Sequence, residues 1–464
     1  MGPFFDRPLT STGQPGDAPY LLRLFRLSRD ELHVALPTLG RAGCVSNVTG
    51  NASAPGSLAR IPRSGEGQAE LTGQASDFDI HTFDIWDQDR CQAIFEIFSE
   101  MNRSGPVTWT ESHGGHWVIT GYEAVREASQ DWRTFTSTQG VQVPPVGTDY
   151  NPPITEDPPR QVAFRQPLAP HFSPKAAEAA MPRIREYVDD LIDSFVESGA
   201  CDFAEDFTEP LVPLVFFTEV LHVPEYLLDS FMERFVHPGS TPRDHTAIVP
   251  QISRELVEAR RSEPPLGDVI DAIFAMTVDG EPLGEDDVLA VIEILLLGGT
   301  DTTRNVITSS LHFLAQHPDL RHTLASDPSL MPAAVEELLR LFGSVQTIGR
   351  TATCAVRVGT EGIPEGGKVV CALAAANRDP AEFRQPDEFF LDRPANRHFA
   401  FGVGPHRCIG SNLARAEILV ALQRVLQRIP DYELAAGWRY RRRQGFIHGP
   451  ETLRVTFPPG KRSR

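Results

Sequence analysis

The sequence predicts a mainly α fold with small β-sheets, built around one long central helix. Three observations carry this. Helical patterns recur along most of the chain, at Tyr122 to Gln130, Lys175 to Ser198, Leu211 to Leu221 and Asn412 to Leu426. Strand signals are few and short: Trp117 to Thr120, Ala355 to Val358, Lys368 to Leu373 and Thr452 to Phe457. Between Gly284 and Gln316 apolar residues continue on almost every face, the pattern of a helix that runs through a core.

The long helix opens on Glu285, Asp286 and Asp287, where the macrodipole favours acids. Its pattern ends just before Pro318. A helix of about 30 residues spans about 45 Å, so it should cross the whole molecule. Pro-rich breaks at Val143 to Pro159 and Pro238 to Pro250 interrupt the other helices.

The chain has 464 residues. Residues 77–464 read as one large domain. Residues 1–76 are rich in Gly, Pro, Ser and Ala and read as a disordered extension. Within it, Tyr20 to Leu36 has the pattern of a short basic-apolar helix. The formal net charge of -19 disfavours a nucleic-acid partner. Six cysteines (Cys44, Cys91, Cys201, Cys354, Cys371 and Cys408) are scattered without a CxxC pair. That spacing argues against disulfide stapling and a structural zinc site, and a reducing cytoplasm is the simplest compartment. No apolar run is long enough for a membrane span. The acceptor patterns at Asn47 and Asn51 carry little weight without a secretory signal.

Two stretches carry chemistry. The first is Gly298-Gly299-Thr300-Asp301-Thr302-Thr303, inside the long helix. Two glycines there cost about 1 kcal/mol each relative to alanine. A core Asp301 costs more unless it is paired or used. Thr302 stands four residues after Gly298, so its hydroxyl can compete for that carbonyl and open the helix. The stretch is either a packing notch or a site that delivers protons to a small bound species. The second is Phe401-Gly402-Val403-Gly404-Pro405-His406-Arg407-Cys408-Ile409-Gly410. Glycines let such a loop pass close to a flat ligand. A cysteine at its end, just before a helix, can be held as a thiolate by backbone N–H groups and a metal.

The second loop resembles the haem-binding segment of the cytochrome P450 superfamily, and of its soluble bacterial branch in particular. Gly298 to Thr303 resembles the family's oxygen-activating helix motif. Glu337-Leu-Leu-Arg340 resembles its Glu-x-x-Arg motif, and Asp387 to Phe401, through Arg393, the approach to the haem loop. The resemblance covers about Asp77 to Phe457. It implies a P450 fold with the long helix over a buried haem b, and Cys408 as the ligand of the iron. Asp301 and Thr302 would be catalytic. Arg165, Arg350 and His406 match propionate-binding positions, with Arg350 expected just before a strand. Glu337, Arg340 and Arg393 would form a buried network bracing the cysteine loop.

The implied activity is monooxygenation of a small hydrophobic substrate, with O2 and two electrons from a ferredoxin-type donor and its reductase. Arg407, Arg415 and Arg424 are candidates for a basic docking patch, or for an ordinary solvated helix face. Arg160-Gln161 follows Asp157-Pro-Pro where many relatives carry Glu-His. The stretch Arg160 to Arg165 resembles terpene-hydroxylating members instead, so a terpenoid or an aromatic substrate is expected. Pro210 to Phe217 offers Leu214 where one such member pairs the helix acid with an arginine, which leaves the partner of Asp301 open. Gln346 and Thr347 are candidate polar handles in the substrate pocket. A peroxide-driven peroxygenase and a haem-binding sensor without turnover are the rival readings; the Asp301-Thr302 pair argues against both.

Overall fold

The structure is a computed structural model that describes residues 60–61, 78–145, 150–236, 245–443 and 445–463. The helix expected at Tyr20 to Leu36 lies outside the described residues. The helices are α1 (Ile94–Ser104), α2 (Tyr122–Gln130), α3 (Arg160–Leu168), α4 (Pro174–Phe195), α5 (Glu209–Val215), α6 (Glu225–Phe235) and α7 (His245–Ser262). They continue with α8 (Val269–Phe274), α9 (Glu285–Gln316), α10 (Pro318–Ser326), α11 (Met331–Phe342), α12 (Leu373–Ala376) and α13 (Ser411–Arg428).

The long helix expected from Gly284 is α9, with Gly284 as its N-cap. Its buried side includes Val291, Ile292, Leu296, Ile307, Leu311 and Leu314, and it packs against α5, α7 and α13. Helix α4 starts on a Ser173 cap, whose hydroxyl accepts from Ala176 N at 3.3 Å. It packs along α13, the helix that follows the cysteine loop. The helix expected over Leu211 to Leu221 is α5, continued by a wider π turn at Phe216–Val220.

The largest sheet has five strands, in the order Val107–Thr110, His116–Ile119, Lys368–Ala372, Thr347–Ala352, Phe135–Thr136. His116–Ile119 and Lys368–Ala372 run parallel, with Val118 opposite Val370; the other pairs are antiparallel. Val125, Ile119, Val369, Cys371 and Phe399 pack one side of it. Arg350 lies inside the strand Thr347–Ala352 rather than just before one. A second sheet joins Glu433–Leu434, Arg454–Thr456 and Ala200–Asp202. Arg60–Ile61 pairs antiparallel with Phe389–Phe390. The described cysteines Cys91, Cys201, Cys354, Cys371 and Cys408 are free. Among the described residues, no helix is long and apolar enough to cross a membrane.

Candidate active site

The cysteine loop is held by its own backbone. Phe399 N donates to Asn377 Oδ1 at 2.6 Å, which anchors the start. Gly402 N to Phe399 O (2.9 Å), Arg407 N to Gly404 O (3.1 Å) and Cys408 N to Phe401 O (2.8 Å) then close successive turns. Gly402 and Gly404 have φ of +65° and +79°, values that favour glycine. A Cβ on Gly404 would stand 2.5 Å from the Ser129 carbonyl oxygen in α2, so the loop is pressed against that helix. Gln161 fastens it from α3, its Nε2 donating to Pro405 O at 2.8 Å.

Cys408 stands three residues before α13. It is solvent-accessible although protein lies close around its sulfur. Burial pushes the thiol up; the Gly410 N–H and the charges of Arg165, Arg407 and Arg415 act the other way. A helix N-terminus and nearby cations are the surroundings that favour anionic sulfur.

Arg165, Arg350 and His406 converge on the loop. Arg165, in α3, donates to the Arg407 carbonyl, and its charge acts on Cys408. Arg350 is 3% exposed and donates to Gly349 O at 2.7 Å. Neither guanidinium has a carboxylate within ion-pair distance among the described residues. A buried cation without a counter-ion, as Arg350 is, is costly, and Arg165 is half-buried; the two fit an anionic group such as a haem propionate. His406 Nε2 sits 3.2 Å from Ser137 Oγ, which donates to Asp157 Oδ1 at 2.9 Å. Burial, then the charge of Arg350, pushes the imidazole down to about 3, so it is neutral at physiological pH.

The two glycines of α9 do different things. A Cβ on Gly299 would meet the Phe216 ring at 2.5 Å, so this glycine is a packing notch. Gly298 is exposed, with no neighbouring atom within 4 Å of a Cβ built there. Thr302 Oγ1 donates to Gly298 O at 3.0 Å. Thr302 is half-buried at this open point. Asp301 beside it acts electrostatically on Arg304 and Arg443. Arg304 is 2% exposed, paired with Glu209 at 3.2 Å and bonded to Asn305 Oδ1 at 2.9 Å. Burial and the charge of Arg304 push Arg443 down to about 10. The arginines near Asp301 therefore come from its own helix and the C-terminal segment, while Leu214 is buried.

Glu337, Arg340 and Arg393 meet as expected. Glu337 Oε1 accepts from Arg340 Nη2 (2.7 Å), Arg393 Nε (2.8 Å) and Phe390 N (3.1 Å). Its Oε2 accepts from Arg340 Nε (2.9 Å) and Asn396 Nδ2 (3.1 Å). Arg340 donates onward to the carbonyls of Asn377, Pro386 and Glu388. The cluster ties α11 to the segment that leads into the cysteine loop.

Residues 214–430 match the family model described as Cytochrome P450. Cytochrome P450 107B1 of Saccharopolyspora erythraea is 35% identical over 70% of this chain and 85% of its own length. The chain belongs to the cytochrome P450 family. The Steroid C26-monooxygenase of Mycolicibacterium smegmatis is 31% identical over 78% of this P450 and 92% of its own length. The crystal structure of Cytochrome P450 CYP101C1 superposes with a TM-score of 0.73 at 29% identity, covering 82% of this chain and 97% of that one. The protein is thus a P450 monooxygenase, an oxidoreductase of the bacterial type, and the family binds haem b.

Other expectations need correcting in this P450. Arg415 is gripped by Glu336 at 2.6 and 2.9 Å, and Arg424 by Asp189 at 2.6 Å. Of the three candidate docking cations, only Arg407 is exposed without a carboxylate partner among the described residues. Gln346 is 1% exposed and spends its amide N–H groups on Gly343 O and Ser344 O; Thr347 is also buried. The less buried side chains of these turns are Val345, Ile348, Phe446 and Ile447, with Val345 bridged to Ile447. Sequence reasoning missed Glu209, Arg304, Glu336 and Asn396. Their partners lie far away along the chain, and no local spacing announces them.

Proposed function

We propose that this cytochrome P450 is a haem-thiolate monooxygenase that inserts one atom of O2 into a C–H bond of a small hydrophobic substrate. The observation that supports this best is the Thr302 hydroxyl on the Gly298 carbonyl at 3.0 Å, at the open point of a core helix and beside Asp301. Cys408 would hold the iron, Arg165, Arg350 and His406 the propionates, and the Glu337–Arg340–Arg393 network would brace the loop. When bound, the haem supplies O2 activation, helped by electron density from the thiolate. Thr302 holds a proton at Oγ1, and Asp301 relays protons from solvent to it. A peroxygenase or a sensor has no use for that pair.

The aliphatic character of Val345, Ile348 and Ile447 suits an apolar substrate, and a terpenoid or aromatic remains our reading. Electrons come singly from a ferredoxin-type donor with its reductase, and the setting is cytoplasmic. Arg407 and an apolar recess of about 260 Å³ between α4, α11 and α13, lined by residues such as Ala177, Met181, Val335 and Leu419, offer the donor a docking surface.

The central test is Cys408→Ser, which should abolish the red-shifted Soret band of the ferrous–CO complex. Cys354→Ser and Cys371→Ser should keep it. Retention of the band in Cys408→Ser would sink the assignment. The substrate class is read by titrating the ferric enzyme with terpenes, aromatics, fatty acids and steroids and following the low-to-high-spin shift. Absence of NADH consumption with a surrogate ferredoxin and reductase, beside activity with peroxide, would favour the peroxygenase.

A further inference from the structure

Glu336 stands next to Glu337 but faces elsewhere. Its carboxylate takes a two-point grip from Arg415, Nε to Oε1 at 2.6 Å and Nη2 to Oε2 at 2.9 Å. His398 Nε2 lies 3.1 Å from the same Oε2. Burial works against the carboxylate, yet the bonds from Arg415 and His398 overcome it and hold it down at about 2. The gripped guanidinium lies over the Phe401 ring, 4.6 Å from its centroid. Phe401 in turn carries the carbonyl that receives Cys408 N at 2.8 Å. A side chain as long as Arg415 loses much rotamer freedom when fixed, so its place over Phe401 needs anchoring; Glu336 grips it at two points, and the Ser411 carbonyl accepts from Nη1 at 3.3 Å.

We propose that Glu336 is a positioning residue for the thiolate side of the site: it holds the Arg415 cation over Phe401 and so sets the reduction potential of the bound haem. Reduction of ferric to ferrous adds one negative charge, and a fixed cation nearby favours the reduced form. The pair is about one-third exposed, with side-chain accessibilities of 29% and 34%, so solvent screens it and the effect on potential should be moderate. The inference rests on Cys408 being the iron ligand.

The sign of the shift separates positioning from plain charge. Glu336→Gln removes an anion. If Glu336 acted only through its charge, the potential would rise. If it positions Arg415, the released cation drifts away from Phe401 and the potential falls. The experiment is a dye-coupled potentiometric titration of the haem-loaded full chain, with the ferrous–CO spectrum recorded on each sample. Arg415→Gln should move the ferric/ferrous equilibrium about tenfold toward ferric, which is 59 mV for one electron. Glu336→Gln should move it in the same direction, and the double variant should lie no lower than Arg415→Gln alone, since it adds only the loss of an anion. Should Glu336→Gln fail to take up haem, Glu336→Asp replaces it: the charge stays and the reach shortens, so a fall in potential supports positioning. A potential that rises in Glu336→Gln, or is unmoved in Glu336→Asp, overturns the proposal. A wild type without the red-shifted CO band would instead refute Cys408 as ligand, a different failure with a different readout.

Discussion

Thr302 Oγ1 donates to the carbonyl of Gly298 one turn back along α9, at 3.0 Å. The bond adds a side-chain donor to a carbonyl of an unbroken helix. It does so where Gly298 leaves open space beside the helix. Insertion of one oxygen atom consumes two protons and two electrons per O2, and on the proposed function this hydroxyl would serve proton supply.

Thr302→Ala should separate oxygen consumption from product formation. Alanine is the better helix former, so α9 should survive. The variant should bind haem and substrate and still consume NADH. Its ratio of product to NADH should fall, by several-fold up to about a hundredfold, with hydrogen peroxide making up the difference. Asp301→Asn should slow turnover instead, because an amide does not relay a proton in the same way. An unchanged product-to-NADH ratio in Thr302→Ala would move proton delivery to another route.

Glu337 and Arg340 should act on assembly. Both are essentially unexposed, and each carboxylate oxygen of Glu337 has at least two donors. Removing one partner of such a pair costs about 3–5 kcal/mol, since the other charge stays buried. Arg340→Ala should therefore give mostly haem-free or aggregated protein, read as the haem-to-protein ratio after purification. A normal ratio would show that the cluster is dispensable.

Local patterns made much of this legible. Helix α9 was readable because apolar residues on nearly all faces need no knowledge of a partner. The cysteine loop was readable because glycine at +65° and +79° and a cysteine before a helix are coded side by side. The ion pairs were not. Arg415 and Arg424 look like an exposed basic face on spacing alone. Their anchors, Glu336 and Asp189, come from other helices. The partner of Asp301 is not legible because the resemblance points to the stretch that holds Leu214. Arg304, three residues on in the same helix, and Arg443, near the C-terminus, stand there instead. Gln346 reads as a candidate handle because its segment is expected to line the pocket; its amide N–H groups go to the turn's own carbonyls, while its buried Oε1 has no hydrogen-bond partner.

A chain starting at Asp77 should fold and bind haem. Residues 1–76 carry no motif, and a two-residue pairing of Arg60–Ile61 with Phe389–Phe390 adds little. That pairing does border the network, since Phe390 N donates to Glu337. A chain starting at Ser53 should accordingly melt at the same temperature as the full chain or a little below it, and one starting at Asp77 slightly lower still. Loss of the CO band in the Asp77 chain would place the extension in the core.

Glu417 should make stability fall as pH rises. It lies on α13, nine residues after Cys408, is 2% exposed, and its Oε2 has no hydrogen-bond partner. Burial pushes its carboxyl well above the ordinary 4.5. The folded chain therefore keeps a proton at Glu417 that the unfolded chain releases. Below about pH 4.5 both states hold the proton, and the residue adds no pH dependence. Above it, unfolding releases a proton, so stability falls by up to about 1.4 kcal/mol per pH unit until the folded carboxyl itself ionises. Glutamine keeps the shape and cannot ionise. Glu417→Gln should match or trail wild type near pH 4.5 and gain on it steadily toward pH 7, measured as the difference in melting temperature across buffers of equal ionic strength. A difference that does not change with pH would mean that the carboxylate is ionised in the folded protein and held by a partner, and the burial argument would fail.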